Sequence, residues 1–170
     1  MTMDTLETVC TIPSGQLRRA MAKLPTGVVV VTGECDNTPA GMTVSAFTSV
    51  SDDPPTVLVC LNNRSYTTDV IRRGGHYGVN ILSGSQRVVA QRFATPGLDH
   101  TERFSGLTID RARTGSPLLA DALCWLDCTI LKTEEIGTHL VAYGSVVAMG
   151  GSLSDEVPLA YYNRGLAPFG

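Results

Sequence analysis

The sequence predicts a mainly β protein built around an antiparallel barrel. Most strand-like segments follow one another through short connections, and few helical segments separate them. A parallel doubly wound sheet needs a helical crossover after almost every strand, so this order favours antiparallel pairing. The 170 residues include 17 glycines and 9 prolines, which supply turns, and the length fits one domain.

The chain is expected to begin with a lead-in, a short helix and a buried strand. We interpret residues 1–13 as a flexible N-terminal lead-in and residues 14–170 as a single domain. Ser14 is placed to cap a helix whose apolar residues recur at helical spacing: Leu17, Ala20, Met21 and Leu24. Pro25 and Gly27 end this helix, and residues 28–32 form an entirely apolar strand apart from Thr32.

The middle of the chain combines strands with two short helices. After turn residues at 35–39, the predicted elements are a strand at about 40–50, a strand at 56–62, a helix at 65–73, a strand at 76–82 and a helix at 83–93. Gly74 and Gly75 end the first of these helices. In the second helix we expect Val88, Val89 and Phe93 to face inward.

The last part of the chain is irregular at first and then returns to strands. Residues 94–120 are rich in glycine, proline and threonine and show no clear period. Two long strands at about 121–133 and 138–149 enclose the turn residues 134–137, and a final strand is expected at about 157–163.

The composition argues against several kinds of partner. A net charge of −3 disfavours nucleic acid and anionic membrane surfaces. No apolar run approaches the roughly 20 residues of a membrane span, and the N-terminus lacks the pattern of a signal peptide. The cysteines form an odd set without a C-x-x-C motif, so we expect structural thiols in a reducing, cytoplasmic location: Cys10, Cys35, Cys60, Cys124 and Cys128.

The familiar motifs of nucleotide, metal and hydrolase sites are missing. The chain contains no G-x-G sequence and no G-x-x-x-x-G-K-[ST] loop, which leaves a Rossmann site and a P-loop unsupported. No G-x-S-x-G sequence occurs, so a nucleophile-elbow hydrolase is not expected. His76, His100 and His139 are dispersed, so no metal site is predicted.

Residues 40–68 have the character of a ligand-binding surface. In residues 41–51 the non-apolar positions carry hydroxyls and small side chains, which suit contact with a flat polar ligand. The following apolar strand ends in Asn62, Asn63, Arg64 and Ser65, a group of amides, a cation and a hydroxyl at an expected helix start. A phosphate binds well at such a place. A planar ring with a phosphate indicates a nucleotide cofactor.

Each of these features also has a structural interpretation. The Ser/Thr-rich strand fits ordinary β propensity, and residues 62–65 fit a solvated turn with a helix cap. His139 follows the Gly137 turn and fits a structural histidine, and Arg103-Phe104 fits a loop anchor.

Taken in order, the motifs resemble those of the short-chain flavin reductases, the reductase components of two-component flavin-dependent monooxygenases. The similarity runs from about Leu17 to Arg164. Its motifs are residues 24–32 (LPTGVVVVT), 41–47 (GMTVSAF), Ser51-x-x-Pro54-Pro55, Arg64-Ser65, 79–82 (VNIL), 103–106 (RFSG), 137–139 (GTH) and Pro158-Leu159-x-Tyr161-Tyr162.

The resemblance implies a split-barrel, Greek-key flavin-binding fold with a few short peripheral helices, and a homodimer. It also implies the cofactor contacts. The isoalloxazine ring would be lined by Gly41, Met42, Thr43, Val44, Ser45 and Ala46, and flanked by Ser49, Val50 and Ser51. The ribityl-phosphate end would be held by Asn62, Asn63, Arg64, Ser65 and Thr67, with Arg103 and Phe104 closing over the cofactor.

For the reduced nucleotide, the resemblance implies His139 as the catalytic residue beside the nicotinamide, together with the C-terminal residues Tyr162 and Arg164. We interpret His139 as an orienting hydrogen-bond donor. Two positions depart from the family pattern: Thr138 stands where an aspartate is frequent, and Leu166 where a tyrosine is common.

The implied reaction is NAD(P)H-dependent reduction of FAD or FMN, with the reduced flavin leaving for a partner monooxygenase. NADH is favoured over NADPH because no obvious Arg/Lys pair marks a 2′-phosphate pocket. The alternatives are a split-barrel oxidase that retains FMN, a non-catalytic flavin- or haem-binding barrel, and an interaction-only barrel.

Overall fold

The computed structural model describes residues 12–152 and 154–170. The helices are α1 (Ser14–Met21), α2 (Tyr66–Gly74), α3 (Arg87–Ala94), which a 3₁₀ turn at Gly84–Gln86 precedes, and α4 (His100–Arg103). The strands are β1 (Thr26–Gly27), β2 (Val29–Cys35), β3 (Thr38–Val44), β4 (Phe47–Asp52), β5 (Pro55–Asn62), β6 (His76–Ile81), β7 (Ile109–Asp110), β8 (Leu118–Leu119), β9 (Cys124–Ile136), β10 (His139–Gly150), β11 (Leu159–Tyr162) and β12 (Gly165–Pro168).

Seven strands form one antiparallel sheet in the order β3-β2-β6-β9-β10-β5-β4. Its two edge strands, β3 and β4, are consecutive in the chain and are joined only by Ser45 and Ala46. The sheet therefore curls into a barrel that stays open at this corner. Alternate residues of each strand point inward, as Val57, Val59 and Leu61 do on β5, and their side chains fill the barrel.

The barrel core is extended by helices on the outside. Ile71 of α2 is buried in the core cluster of the barrel and contacts Gly33 of β2 so closely that a Cβ at Gly33 would lie 2.6 Å from it. A second core packs α3 against the C-terminal hairpin, with Phe93, Leu159 and Leu82 fully buried. A three-stranded sheet in the order β1-β11-β12 closes this side of the molecule.

Tight turns in left-handed conformations shape two hairpins and one helix end. Asp36 and Asn37 have φ of 52° and 58° and join β2 to β3. Asn163 and Arg164 have φ of 49° and 64° and join β11 to β12. Gly75 has φ of 73° and ends α2, as expected for a glycine after a helix.

The mainly β, antiparallel fold class is confirmed. The predicted strands at 56–62 and 76–82 correspond to β5 and β6, and the long pair corresponds to β9 and β10. The expected turn at 134–137 is wrong in extent, because β9 continues to Ile136 and only Gly137 and Thr138 connect the strands.

Several local predictions are wrong. The strand expected at 40–50 is two strands that part at Ser45-Ala46, and β1 and β12 were not predicted. Ser14 is the first residue of α1, and Pro13 occupies the cap position without a side-chain bond. Val88 is 66% exposed and does not face inward, whereas Phe93 does.

The N-terminal part of the chain leaves some predictions outside the description. Most of the expected lead-in, and Cys10 with it, falls outside the described residues.

The other four cysteines are free thiols. Burial raises the pKa of the Cys128 thiol to about 12, with the neighbouring Asp127 acting in the same direction. Among the described residues, no helix is both long and apolar enough to cross a membrane.

Candidate functional site

An open cleft of about 830 Å³ lies at the corner where the barrel is split. Its floor is formed by Ser45, Ala46 and Thr48 from the corner, and by Leu58 and Cys60 from the outward face of β5. The wall opposite consists of α1 and the C-terminal hairpin: Arg18, Met21, Ala22, Leu24, Tyr161 and Arg164. The lining is mostly apolar, with guanidinium groups at the rim. This composition suits a flat aromatic ligand that carries negative charge.

A smaller cavity of about 240 Å³ shares Ser45 and Tyr161 with the cleft. Thr43, Val44 and Leu166 also line it. Of the segment predicted to contact a ring, Thr43 to Ala46 therefore reach one cavity or the other. Leu166, which departs from the family pattern, lies at this place.

Gly41 and Met42 line neither cavity, contrary to the prediction. A Cβ on Gly41 would lie 2.6 Å from the Phe93 ring and 3.3 Å from Phe104, so aromatic side chains cover this part of β3. Met42 packs against the barrel core. Alternation along β3 turns Met42 toward the barrel core and Gly41 toward the opposite face, where the two phenylalanine rings cover it.

The predicted phosphate-binding residues form a turn between β5 and α2. The side chain of Asn62 accepts a hydrogen bond from the Arg64 backbone N–H at 2.9 Å, and its carbonyl accepts from Ser65 N–H at 3.0 Å. Ser65 donates its hydroxyl to the sulfur of Met42 at 3.5 Å. The turn, residues 62–65, is thereby fixed against β3 at the N-terminus of α2.

This turn has the properties of an anion site. Within residues 12–152 and 154–170, Arg64 forms no ion pair, and its side chain is exposed. The backbone N–H groups of the first helical turn point out of the N-terminus of α2, where the helix dipole favours negative charge. The buried Thr67 hydroxyl, which can donate to a phosphate oxygen, has no hydrogen-bond partner among the described residues. The residues present therefore fit a phosphate group.

His139 lies beside this turn. It is the first residue of β10 and is paired with Asn62 on β5. The Asn63 N–H donates to the Thr138 carbonyl at 3.0 Å, and Thr138 Oγ1 lies 2.9 Å from His139 Nδ1. The imidazole is exposed. Thr138, which stands where the resembled family frequently has an aspartate, thus places its hydroxyl to orient the His139 ring.

The cleft and the turn belong to one continuous surface. Cys60 of the cleft floor and Asn62 of the turn lie on the same outward face of β5, roughly 7 Å apart along the strand. Ala46 is held at this place because its carbonyl accepts from the Cys60 N–H at 2.9 Å. Burial raises the pKa of the Cys60 thiol, which keeps it protonated and unreactive at neutral pH.

Arg103 does not face the site. Its guanidinium is buried and donates to four backbone carbonyls: Gly41 at 3.1 Å, Phe93 at 2.6 Å, Thr95 at 2.9 Å and Leu98 at 3.3 Å. Phe104 packs edge-on against Phe93, with ring centroids 5.1 Å apart. The expected closure of these two residues over a cofactor is therefore corrected: they anchor the loop, as the structural interpretation proposed.

Other predicted residues lie at the margins of the site. Ser49, Val50 and Ser51 follow the cleft along the edge strand β4, where a register shift occurs between Ser49 and Ser51. Arg164 lines the cleft, whereas Tyr162 lies on a separate shallow cavity with Pro25 and Phe169. Of the two C-terminal residues predicted to contact the reduced nucleotide, Arg164 lines the cleft and Tyr162 does not, while Tyr161 and Leu166 of the same hairpin line the cleft or the smaller cavity.

Several residues of the cleft were not predicted from the sequence. Arg18, Leu58 and Cys60 line it, but each has an ordinary place in a helix or strand pattern. The one available signal was for Leu58 and Cys60, which share the outward face of the strand that ends at Asn62. In the described part of the chain, no group of three or more His, Cys, Asp or Glu is arranged to hold a metal ion.

Comparisons with known proteins agree with this geometry. The family model described as "Flavin reductase like domain" matches residues 21–170. The reductase component of a 4-nitrophenol 4-monooxygenase/4-nitrocatechol 2-monooxygenase from Rhodococcus opacus is 37% identical over 151 residues, which cover 89% of this chain and 78% of the relative. An FMN reductase (NADH), RutF, from Methylorubrum populi is 38% identical over 89% of this chain and 75% of its own length.

The fold similarity extends to solved structures. The NADH:FAD oxidoreductase SgcE6 of Streptomyces globisporus, in complex with NAD and FAD fragments, superposes with a TM-score of 0.83 at 30% sequence identity. The match covers 92% of each chain. Sequence, fold and site geometry agree: the chain belongs to the flavin reductase like family.

Proposed function

We propose that this protein is an NADH-dependent flavin reductase that supplies reduced FAD or FMN to a separate monooxygenase. One observation carries the proposal: an apolar cleft continues along one face of β5 into a cationic turn at a helix N-terminus, with His139 on the adjacent strand. A flavin combines an apolar tricyclic ring with a phosphate-bearing chain, so its two parts match the two ends of this surface.

The residues of the surface have distinct roles in binding. The corner residues Ser45 and Ala46, with Thr48, receive the ring, and the smaller cavity beside Thr43 and Val44 takes up one ring edge. Arg64, together with the side-chain NH₂ groups of Asn62 and Asn63 and the Ser65 hydroxyl, would hold the phosphate as charge-assisted donors. Thr67 contributes a buried hydroxyl donor that lacks a partner within the described residues.

Bound flavin supplies the redox chemistry, because its ring accepts a hydride from the reduced nicotinamide. The protein contributes positioning and exclusion of water. Two rings stacked in the cleft need no side-chain acid or base, and catalysis is then mainly by orientation. Backbone groups at the barrel corner would stabilise negative charge on a reduced ring held there.

His139 and the rim arginines bind the reduced nucleotide. His139 is exposed beside the turn, where its ring nitrogen can donate a hydrogen bond to the nicotinamide carboxamide. Arg18 and Arg164 stand at the cleft rim and can neutralise the pyrophosphate. NADH is the preferred donor, in keeping with the relatives described as FMN reductase (NADH) and as NADH:FAD oxidoreductase. NADPH is the alternative donor.

The protein acts as a homodimer. Leu17, Met21 and Leu24 are each about half exposed on α1 and the segment after it, and Met21 and Leu24 also line the cleft. A second copy seated on α1 would cover the apolar side chains and enclose the flavin. Sedimentation or light scattering should give a dimer, and the double variant Leu17→Glu, Met21→Glu should be monomeric and bind flavin more weakly.

The function is tested by adding FAD or FMN and NADH or NADPH to the purified protein and following the loss of nicotinamide absorbance. Turnover, together with loss of flavin on desalting, supports a reductase that releases its product. Protein that stays yellow through desalting supports the rival FMN-retaining oxidase. Flavin binding without turnover supports a non-catalytic barrel, and coupling to a monooxygenase component tests delivery of the reduced flavin.

A further inference from the structure

Two aromatic side chains from different helices stack next to the 62–65 turn. Tyr66 is the first residue of α2 and directly follows Ser65, and His100 is the first residue of α4. Their ring centroids lie 4.4 Å apart with an interplanar angle of 36°. Tyr66 is 43% exposed, so the part of its ring that His100 leaves uncovered is open to solvent.

The fold has other means of holding these two helices. Neither Tyr66 nor His100 belongs to the two core clusters. The Asp99 carboxylate caps α4 by accepting from Thr101 and Glu102 N–H groups, and Arg103 fixes the end of α4 to backbone carbonyls. The aromatic pair is therefore an addition to a loop that is already anchored.

The chemistry of the pair suits a neutral planar ligand. Burial lowers the pKa of His100, and the nearby Arg103 cation acts in the same direction. The imidazole is therefore neutral at pH 7, and the stacked surface carries no strongly hydrated charge. Purine bases bind well to such surfaces because every base presents a π-face.

We propose that Tyr66 and His100 form a stacking platform for the adenine of a dinucleotide, and specifically for the adenosine half of FAD. This inference rests on the proposed function, which places the flavin phosphate at Arg64 and Ser65. FAD differs from FMN by an adenosine phosphate joined to that phosphate. Tyr66 is the next residue of the chain, so its ring is within reach of an adenosine joined to a phosphate held at the turn. The platform would make FAD the preferred flavin of this protein.

The test compares flavins with and without the adenosine. Dissociation constants for FAD and FMN are measured by flavin fluorescence for the wild-type protein, Tyr66→Ala and Tyr66→Phe. We expect wild type to bind FAD more tightly than FMN, and the FAD-to-FMN affinity ratio to fall about tenfold in Tyr66→Ala, as expected for one lost base stack. Tyr66→Phe should keep the wild-type ratio, since it retains the ring.

Two further variants separate stacking from structural effects. Tyr66→Leu preserves apolar bulk at the start of α2 but has no aromatic face, so it should lower the ratio as Tyr66→Ala does. Val88→Ala changes an exposed apolar residue on α3, a different helix from that of Tyr66, and serves as the matched control with an unchanged ratio. Thermal unfolding of each variant shows whether the protein remains folded.

Adenine also occurs in NADH, and a second arm distinguishes this source. KM is measured for NADH and for reduced nicotinamide mononucleotide, with FMN as acceptor. In Tyr66→Ala, the KM for NADH could rise roughly tenfold while the KM for reduced nicotinamide mononucleotide and the FAD-to-FMN affinity ratio stay unchanged. That result would support an adenine-binding role for Tyr66 and His100, with the adenine being that of the reduced nucleotide.

Three results overturn the inference. The first is that wild type binds FAD and FMN equally and Tyr66→Ala does not change the KM for NADH. The second is that Tyr66→Ala changes neither the FAD-to-FMN affinity ratio nor the KM for NADH, and the third is that it weakens FAD and FMN binding equally. The last result would make Tyr66 a support for the phosphate turn. Absence of NADH turnover would instead contradict the proposed function, while the flavin-binding ratio stays measurable.

Discussion

Replacing Arg103 by methionine separates a role in folding from a role in cofactor binding. Methionine keeps most of the apolar stem and removes the guanidinium that donates to four backbone carbonyls. We expect Arg103→Met to lower the free energy of unfolding by about 3 kcal/mol. The flavin affinity of the folded variant should stay within about threefold of wild type, because Arg103 does not reach the cleft.

The magnitude follows from the environment of the four acceptors. Thr95 and Leu98 lie at the surface or partly exposed, so water can replace the lost donor there. The carbonyls of Gly41 and Phe93 belong to buried residues, and each unsatisfied acceptor costs about 1–3 kcal/mol. Removing a cation whose own burial is unfavourable offsets part of this loss. For a protein of this size, about 3 kcal/mol corresponds to a melting temperature roughly 6–12 °C lower.

The assay combines urea unfolding of the apoprotein with a flavin titration at low temperature. Arg92→Met is the matched control, because Arg92 donates to a single carbonyl, that of Ser105, from a more exposed position. Its loss should be about 1 kcal/mol or less. Wild-type stability of Arg103→Met combined with loss of flavin binding would refute the reasoning and return Arg103 to the cofactor site.

Four further outcomes are expected. His139→Ala should raise the KM for NADH more than it changes flavin affinity; equal, large losses in both would make His139 structural. Arg64→Ala should weaken flavin binding about tenfold through a lost charge-assisted contact, and an unchanged titration would place the phosphate elsewhere. Gly144→Ala should cost about 1–3 kcal/mol, because the new Cβ would lie 2.2 Å from the hydroxyl of buried Tyr77. Gly27→Ala, with nothing within 4 Å, is its control, and equal urea midpoints would contradict the expectation. Finally, because the folded state lowers the pKa of His100, the unfolded chain takes up that proton first as the pH falls, so unfolding should become easier below about pH 6.5; His100→Gln should reduce this slope in unfolding measured from pH 8 to pH 5.

The sequence was most informative where the local pattern coincides with the tertiary role. The alternation of side chains in residues 56–62 indicates a strand with one face in the core, and β5 has this burial pattern. Gly75 indicates the end of a helix, and it adopts the left-handed conformation after α2. The 62–65 turn was predicted as a unit because its amides, cation and hydroxyl are contiguous. The structure adds what no local pattern contains, namely the pairing of Asn62 with His139 from a strand far along the chain.

The failures have physical reasons of the same kind. The chain bends at Ser45-Ala46 because the barrel closes there, and neither the alternation of polar and apolar residues nor the β propensity changes at these two residues. Nothing in the sequence therefore indicates that the predicted strand is two strands. The hairpin of β11 and β12 was not predicted because its turn includes Arg164 with φ of 64°. Arginine rarely adopts this left-handed conformation, so its presence does not indicate a turn. Arg103 resembled a ligand-binding cation in the sequence, but the carbonyls it binds come from two separate segments of the chain, residue 41 and residues 93–98.

The Phe93 ring covers Gly41, so substitutions at residues 41 and 93, which lie far apart in the chain, depend on each other. A side chain at residue 41 would need the space of the Phe93 ring, which lies 2.6 Å from the position of the missing Cβ. In a diverging lineage, the two positions should therefore change together, with a larger residue at 41 accepted only where residue 93 becomes smaller. Ser45 and Ala46 are exposed at the cleft, so their substitution is limited by the ligand. Substitution at residue 41 is limited by packing against an aromatic ring, whether or not a ligand is bound.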